Sequence, residues 1–550
     1  MTHSTTTYPA PLEFLPSWSL DGDDGDWATF TIGVGTPPQY FRVLPSTSGA
    51  EIWVPLPEGC QGIMANVSNC GDLRGVNDAT RGFQTNSSSS WETIGIYGLS
   101  TEQPLFGSSN DGLYGLDTVA SQSVKPGSIV SHDLSSQTVA GISSADFWLG
   151  SLGLGTATGN FTVQNENIPS MLDTLYNQSL IPSLSFGYAA GAGYISPPDY
   201  GSLVLGGYDK SRFTPTNLSM SLGGPSKQTL ELSLKSIVAQ NVFGGTLSLL
   251  ANGDAISTVI DSTVTQLWLP QDVCDLFAQA FGLTYDPVTE LYLVNDTIHS
   301  QLLLMSPSVT FTIGANSTSA DSTNIELPYA AFDLGAGIPI YNSTTPYFPI
   351  RVAANESQYV LGRSFLQEAY LSVDWERQNF TVAQVVHQNE TTSIVSVLSP
   401  SDTYTATTHK SLKPGVVAGI TVVACATLVF VAGLILFFVL RNRRRRRAAE
   451  AEQAEQAAVF LSDQKGDPKG SVSELHGDQS TASEIMSQQV YEMHDNNNNN
   501  KQAHKIMSNS LTELPGHAVG QELDGESAQS AREKEEMKRK AVEASVYEMP

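Results

Sequence analysis

The sequence has 550 residues, of which 40% are hydrophobic and 15% are charged. This composition is typical of a mostly folded chain, and the length leaves room for two to four domains. The net charge of −27 is concentrated in residues 1–415, which carry 36 acidic and 13 basic side chains. Because this part offers no basic patch for phosphates, we exclude nucleic-acid binding. The acidic balance fits either an acidic environment or a requirement for solubility.

Residues 1–26 show no periodic pattern and are interpreted as an N-terminal segment. Residues 1–20 contain neither the basic start nor the apolar run that a signal peptide needs, so no signal peptide is visible. We expect that the natural start lies upstream of this sequence. Insertion directed by a later transmembrane helix is the alternative.

From residue 27 to about 388, short apolar runs alternate with turns rich in Gly and Pro, and few stretches have a helical period. This pattern predicts a mostly β fold. Two stretches, 168–178 and 272–281, are predicted to be short helices, the second because its apolar residues are spaced for one face.

Two stretches of this region, 46–55 and 260–270, share one short pattern of small polar residues, an apolar pair that includes Trp, and then Pro. A pattern that occurs twice predicts two related lobes, each of which contributes one loop to a shared centre. The copies differ in one respect. The second contains the carboxylate of Asp261, and the first has no carboxylate at the corresponding place.

Further motifs accompany these loops in a fixed order: GTPPQ at 35–39, WVP at 53–55, NDGLYGLDTV at 110–119, LGLG at 152–155, GGYD at 206–209, and LGRSFL at 361–366 with Tyr370 and Asp374. In order and spacing they resemble the pepsin-like aspartic proteases (peptidase A1 type) over residues 27–386. The resemblance implies a mostly β, bilobal acid protease fold with a substrate cleft between an N-terminal lobe at 27–220 and a C-terminal lobe at 221–388. It implies no metal and no cofactor.

Proteases of this family use two carboxylates that share a proton, one as general base and the other as general acid. Each loop of the family reads Asp-Thr-Gly followed by Ser or Thr. By this correspondence Asp261 is retained, whereas Ser46 replaces the first catalytic Asp. A hydroxyl cannot carry the charge or share the proton of a carboxylate, so the resemblance implies a broken dyad. Glu51 is expected at the surface rather than as a substitute acid.

The resemblance also implies roles for neighbouring residues. Thr47 and Ser262 occupy the positions whose hydroxyls lock the two loops together, so we expect an intact scaffold. Thr263 replaces a Gly that lets the backbone pass close to the carboxylates, so we expect a narrower or distorted site. The flap between residues 91 and 117 lacks the usual Tyr-Gly-x-Gly-Ser turn. Tyr97 is the candidate flap tyrosine, with packing in a β-hairpin as its alternative role.

Cysteines and glycosylation motifs indicate the compartment. Cys60 and Cys70 lie ten residues apart in a Gly- and Asn-rich loop, and in an oxidising compartment we predict a disulfide between them. Eleven Asn-x-Ser/Thr motifs predict a glycoprotein with surface loops. They begin at Asn66, Asn86, Asn160, Asn177, Asn217, Asn295, Asn316, Asn342, Asn355, Asn379 and Asn389.

Residues 415–440 contain no charge and exceed the roughly 20 residues that cross a bilayer, so they predict one transmembrane helix. Arg441 and the arginines at 443–447 follow directly, which is typical of a cytoplasmic flank. We therefore predict a single-pass type I membrane protein with an extracellular or lumenal N-terminal domain. A Ser/Thr-rich stalk at 389–414 would precede the helix, and the tail at 441–550, which lacks the apolar content of a core, is predicted to be disordered and cytoplasmic.

Three functions remain open at this stage. The first is a membrane-anchored protease-like protein with lost or impaired peptidase activity, whose cleft still binds a peptide, a glycan or a cell-wall component. The second is an active aspartic endopeptidase that uses Asp261 with an atypical partner. The third is a surface sensor that signals to a cytoplasmic partner through its tail, where Val-Tyr-Glu-Met at 490–493 recurs at 546–549 as a docking motif or by chance.

Overall fold

The computed structural model describes residues 8–400, with gaps at 78–79, 100–109, 126–127, 158, 161–166, 224–227 and 388–390. Strands dominate the described residues, which confirms the predicted mostly β class. No helix among them is both long enough and apolar enough to cross a membrane. The predicted span at 415–440, the tail with its repeated motif, and the stalk beyond residue 400 lie outside the described residues.

The elements follow one another in chain order. Up to residue 223 the strands are β1 (Leu12–Phe14), β2 (Pro16–Asp21), β3 (Trp27–Val34), β4 (Gln39–Ser46), β5 (Ile52–Pro55), β6 (Glu92–Gly98), β7 (Asp111–Lys125), β8 (Ser128–Ile142), β9 (Gly150–Gly153), β10 (Gly159–Asn160), β11 (Asn167–Ile168), β12 (Ser185–Ala189), β13 (Ser202–Leu205), β14 (Gly207–Asp209) and β15 (Met220–Ser221). From residue 228 they are β16 (Glu231–Val242), β17 (Gly245–Leu250), β18 (Ile256–Ile260), β19 (Leu267–Leu269), β20 (Thr284–Asp286), β21 (Leu291–Leu293), β22 (Ser308–Gly314), β23 (Thr323–Pro328), β24 (Leu334–Ala336), β25 (Thr345–Phe348), β26 (Ile350–Val352), β27 (Val360–Leu361), β28 (Ala369–Asp374), β29 (Asn379–Gln384) and β30 (Ile394–Ser396). The α-helices are α1 (Cys70–Leu73), α2 (Met171–Asn177), α3 (Gln271–Phe281), α4 (Asp296–Met305) and α5 (Arg363–Leu366), and short 3₁₀ helices lie at Pro57–Cys60, Gly62–Met64, Thr85–Ser87, Lys210–Arg212, Tyr329–Ala331 and Glu356–Gln358.

The two predicted helices are confirmed as α2 and α3. Helix α3 buries Val273, Phe277 and Phe281, which are spaced for one face, and it ends at Gly282 in a left-handed conformation with φ of 68°. Helix α4 was not predicted. Leu302 of α4 is buried, but the adjacent Leu303 and Leu304 are exposed, and this unbroken apolar run hides the spacing of a single apolar face.

The strands form one 14-stranded and one 8-stranded sheet, together with smaller ones. The 8-stranded sheet is built from β16–β19, β22, β23, β26 and β27, all between residues 231 and 361. Strand β16 shows why these residues pair, since its Leu232, Leu234, Ile237 and Ala239 are buried in the core. Strands β28 and β29 join the 14-stranded sheet instead, where β28 pairs with β12. The second half of the chain therefore returns to the first.

The strands around the two predicted loops have the same arrangement. In the first half, β9 pairs parallel to β4 and antiparallel to β5. In the second half, β27 pairs parallel to β18 and antiparallel to β19. In each half the loop therefore connects two strands that both pair with one central strand, β9 in the first half and β27 in the second. This repeated arrangement agrees with two related lobes.

Two segments outside the predicted lobes also pack on the fold. In the N-terminal segment, β1 pairs with β7 and β13 and β2 pairs with β3. In the predicted stalk, β30 pairs with β14, and the buried Ser399 hydroxyl donates a hydrogen bond to Glu376. Apolar and polar residues alternate in these segments only over short runs such as Leu12–Phe14 and residues 18–20, which are too short to predict a strand.

Candidate active site

The two loops meet through a reciprocal pair of hydrogen bonds. The backbone N–H of Thr47 donates to Ser262 Oγ at 3.0 Å, and the N–H of Ser262 donates to Thr47 Oγ1 at 3.0 Å. Ser262 Oγ also donates to the carbonyl of Pro45 at 2.6 Å. Both side chains are buried, so water cannot replace these bonds. The contacts fix the end of β4 against the end of β18.

Ser46 lies at the centre of the first loop and is 2% exposed. Its Oγ accepts a hydrogen bond from the N–H of Gly49 at 2.8 Å and lies 3.0 Å from Thr263 Oγ1. The position that the resemblance assigns to the first carboxylate is therefore occupied by a neutral hydroxyl that the loop backbone holds in place.

Asp261 follows β18 directly and is 6% exposed. Its Oδ1 accepts hydrogen bonds from Ser48 Oγ at 2.8 Å and from the N–H of Thr263 at 2.9 Å. Within the described part of the chain these two neutral donors are the hydrogen-bond partners of the carboxylate, and no second carboxyl group bonds to it. These hydrogen bonds hold the Asp261 carboxylate in place, but among the described residues the geometry provides no acid that shares its proton.

Thr263, at the position of the family's second Gly, reaches across the seam between the loops. Its hydroxyl lies 3.0 Å from the hydroxyls of both Ser46 and Ser48. Ser48 itself stands at the position of the first Gly. Two side chains thus fill space that two glycines would leave open, and the contact of Ser48 with Asp261 was not foreseen from the sequence.

Arg363 supports the second loop from within the fold and is 6% exposed. Its guanidinium donates to the carbonyls of Ser262 at 2.9 Å and Thr263 at 2.8 Å, and it lies over the ring of Trp27 at 5.0 Å. Sequence reasoning did not assign this residue a role. An arginine inside the mostly apolar LGRSFL motif was the available signal, because a buried guanidinium needs several acceptors.

Tyr97 and Glu51 lie in one small cluster beside the loops. Tyr97 is in β6 opposite Gly112, and its ring packs edge to face against Tyr114 at 6.0 Å. The Tyr114 hydroxyl donates to Glu51 at 2.8 Å. Tyr97 thus has a packing contact, while residues 100–109 of the flap lie outside the described residues. Glu51 is half-buried by this contact and does not hydrogen-bond to Asp261.

A cavity of about 330 Å³ lies beside the loops. Its wall combines both halves of the chain, and its lining includes Asp23, Trp27, Trp53, Phe147, Trp148, Thr263, Gln266, Leu291, Arg351 and Arg363. Thr263 therefore contacts the two loop hydroxyls and also borders the cavity. Among the described residues, no three His, Cys, Asp or Glu side chains come together as a metal site would require.

The predicted disulfide is confirmed, since the sulfur atoms of Cys60 and Cys70 are bonded. The asparagines of the glycosylation motifs lie mostly at the surface. Eight of the nine with described side chains are exposed, and Asn379 is half-buried. The side chain of Asn160 and the whole of Asn389 fall outside the described residues.

Comparison with known proteins identifies the origin of this arrangement. Residues 29–385 match the model of the eukaryotic aspartyl protease family. Secreted aspartic protease 3 of Candida albicans is 23% identical over 359 residues, which cover 64% of this chain and 78% of the relative. Secreted aspartic protease 8 of the same organism is 22% identical over 391 residues, covering 71% and 83%.

The matched region contains both loops, the bonds that join Thr47 to Ser262, and most of the cavity wall. It also contains the one exchange that separates this chain from the family's dyad, Ser46. With its fold, its duplicated loop arrangement and this match in agreement, the chain belongs to the eukaryotic aspartyl protease family.

Proposed function

We propose that this protein is a membrane-anchored, protease-like protein that binds a peptide between its two halves and has lost peptidase activity. One observation carries the proposal: a neutral hydroxyl, Ser46 Oγ, stands where the family has its first carboxylate. Asp261 is hydrogen-bonded by Ser48 and Thr263, both neutral donors.

The chemical reason is that hydrolysis by this family needs two groups of opposite protonation state. One activates water and the other donates a proton to the scissile carbonyl. A lone carboxylate can act as a base, but a Ser hydroxyl, with a pKa far above that of a carboxyl group, is a poor acid for this step. The second candidate, an active endopeptidase, needs another acid beside Asp261, and no described carboxyl group bonds to it.

A peptide is the preferred ligand because the relatives are named as proteases and the cavity is close to the lower end of the size range for small-ligand pockets. A glycan or a cell-wall component would have to use the same cavity. Membrane attachment rests on the uncharged stretch at 415–440 and on the arginines that follow it. The exposed asparagines fit an extracellular or lumenal domain. A signalling tail has no comparable observation in its favour.

Cleavage is tested with the full chain purified in detergent micelles and a mixture of unfolded proteins at about pH 4, where the family's dyad chemistry operates. Mass spectrometry of the products is expected to show no new peptide ends. New ends that disappear in the Asp261→Asn variant would contradict the proposal, because they would require a working acid partner.

Binding is tested by passing a peptide mixture over the immobilised full chain and identifying the retained peptides. Ala145 lies exposed at the rim of the cavity, so Ala145→Trp is expected to abolish retention by filling the entrance. Ser143→Trp, at an exposed position two residues earlier that does not line the cavity, is the matched control. Equal retention by both variants would remove peptide binding in this cavity from the proposal.

A further inference from the structure

The cavity wall contains one carboxylate whose position suggests a ligand preference, and this inference rests on the peptide binding proposed above. Asp23 lies in the short loop between β2 and β3. Its carbonyl accepts a hydrogen bond from the N–H of Gly337 at 2.6 Å, so the loop spans the seam between the two halves of the chain. Asp23 also borders the cavity.

Asp23 differs from the other acids of the wall in its partners. Asp24 accepts a hydrogen bond from Trp27 Nε1 at 2.9 Å and lies 3.8 Å from Arg363. Asp146 accepts a hydrogen bond from Asn110 at 3.0 Å. In the part of the chain that the structure describes, the carboxylate of Asp23 accepts no hydrogen bond from any other residue.

The cations of the wall are already engaged elsewhere. Arg363 donates to the carbonyls of Ser262 and Thr263, as described above. Arg351 is paired with Glu290, and its guanidinium lies over the ring of Trp268 at 4.7 Å. Asp23 is therefore the acid of this cavity whose carboxylate has neither a cation nor a hydrogen-bond donor from another described residue.

The positive charges of the protein near Asp23 do not outweigh the effect of its burial. Burial and the neighbouring charge of Asp24 raise the pKa of Asp23 well above its usual range, while a hydrogen bond from its own backbone N–H and the charges of Arg363 and Arg74 act in the opposite direction. Arg74 does not line the cavity, because its guanidinium is buried against the carbonyls of Phe147 and Trp148. A desolvated carboxylate without a counter-ion favours a ligand that brings a positive charge.

The aromatic wall suits the same kind of ligand. Two of its indole rings already hold guanidinium groups of the protein, Trp27 that of Arg363 at 5.0 Å and Trp148 that of Arg74 at 5.5 Å. Trp53, the third indole of the wall, packs edge to face against Phe147 at 5.1 Å. Indole rings attract cations, and they also pack against the aliphatic part of a lysine or arginine side chain.

We propose that this cavity binds a lysine or arginine side chain of the peptide ligand, with the Asp23 carboxylate as its counter-ion. Asp23 is then a specificity-determining residue of the cleft. It follows that affinity for such a side chain rises with pH, because the bound cation stabilises the ionised form of Asp23 and its proton must leave. Binding therefore releases protons. The other ionisable groups at this wall, Asp24, Asp146, Arg351 and Arg363, each keep a partner within the protein.

The probes are p-aminobenzamidine, an aromatic cation, and p-aminobenzamide, its neutral counterpart of the same shape. Binding to the full chain in detergent micelles is measured by calorimetry at neutral pH. We expect a preference of about tenfold or more for the amidine, the size that a single charge-assisted hydrogen bond supports. Asp23→Asn is expected to abolish the preference. Asp146→Asn, which removes another acid from the same wall, is the matched control and is expected to retain it.

A second test needs no variant. Binding to the unaltered chain is measured by calorimetry at mildly acidic pH in two buffers of different ionisation enthalpy. We expect proton release when the amidine binds and none when the amide binds. Equal affinity for the two probes, a preference that survives Asp23→Asn, or binding of the amidine without proton release would each overturn the proposal. These outcomes leave the absence of cleavage untouched, so the proposed function and this inference can fail separately.

Discussion

Asp261 and Asp199 are both carboxylates with 6% exposure, but their partners differ in kind. Asp261, at the seam of the two halves, is held by a hydroxyl and a backbone N–H. Asp199, in the connection between β12 and β13, accepts hydrogen bonds from Arg212 at 2.5 Å and 2.6 Å and lies 2.8 Å from His387 Nδ1. His387 Nε2 in turn lies 3.1 Å from Glu368. One carboxylate has neutral partners and the other has cations.

The difference separates two uses of a buried acid. Although burial opposes it, contacts with His387 and Arg212 lower the pKa of Asp199, so its charge is fixed and its role is to stabilise the fold. Asp261 has no cationic partner among the described residues. The scaffold therefore preserves a carboxylate in a catalytic position while the group that would share its proton is missing.

The largest expected effect comes from restoring the second carboxylate. In Ser46→Asp combined with Ser48→Gly and Thr263→Gly, the new acid faces Asp261 and the hydroxyls that fill the seam are removed. We expect cleavage of a fluorogenic peptide mixture at about pH 4 to rise at least about 100-fold above the unaltered chain, the scale of general acid catalysis.

The control adds Asp261→Asn to the same three exchanges and is expected to return cleavage to background. If the triple variant folds, as judged by its tryptophan fluorescence, and still does not cleave, the missing carboxylate and these two side chains are not what prevents cleavage. That result would show that the residues around Asp261 do not support catalysis even when a second carboxylate is present.

The second effect concerns the cation-paired acids. Burial acts in the opposite direction, but contacts with Asp199 and Glu368 raise the pKa of His387 from 6.5 to about 9. A raised pKa stabilises the folded state fully below about pH 6.5, and the contribution is lost as the pH rises through about 9. The difference corresponds to about 3 kcal/mol of unfolding free energy.

We therefore expect His387→Gln to destabilise the chain at about pH 6 and to have a much smaller effect at about pH 10. Urea unfolding followed by tryptophan fluorescence measures this, since all seven tryptophans lie before residue 400. His299→Gln is the matched control because His299 is paired with Asp333 at 2.9 Å but is 30% exposed, so a small effect is expected. Equal destabilisation at both pH values would show that His387 acts by packing alone.

The third effect concerns the reciprocal hydrogen bonds between Thr47 and Ser262. Thr47→Val preserves the shape of the side chain but leaves the buried N–H of Ser262 without an acceptor. We expect a loss of about 1–3 kcal/mol in the free energy of unfolding. Ser257→Ala, which removes an exposed hydroxyl from Glu231, is expected to stay within about 0.5 kcal/mol. A Thr47→Val variant as stable as this control would mean that the reciprocal bonds do not hold the halves together.

The smallest effect is expected at Ser48. Its hydroxyl bonds to Asp261, but the residue is exposed, so water can replace the lost donor in Ser48→Ala. We expect a change of about 1 kcal/mol or less in the same unfolding measurement. A larger loss would show that Asp261 depends on this neutral donor as Asp199 depends on its cations.

Much of the fold was predictable because it depends on local sequence motifs and on the spacing of apolar residues. The duplicated motif predicted two related lobes, and the strand pairs around β9 and β27 have the same arrangement. The apolar face of α3 and the Gly that ends it were visible in the sequence. Helix α4 and strand β30 were not, because α4 buries one side chain and β30 is held by backbone pairing with β14.

The hydroxyl of Ser46, at the place where the family's motif has a carboxylate, could be read from the sequence, because this depends on which residue stands in a recognisable motif. The surroundings of Asp261 could be seen only in the folded chain. Ser48 comes from 213 residues away, and the Arg363 guanidinium reaches the second loop from 100 residues away. Such contacts depend on how the two halves pack, which no local pattern encodes, and the same holds for the position of Asp23 in the cavity wall.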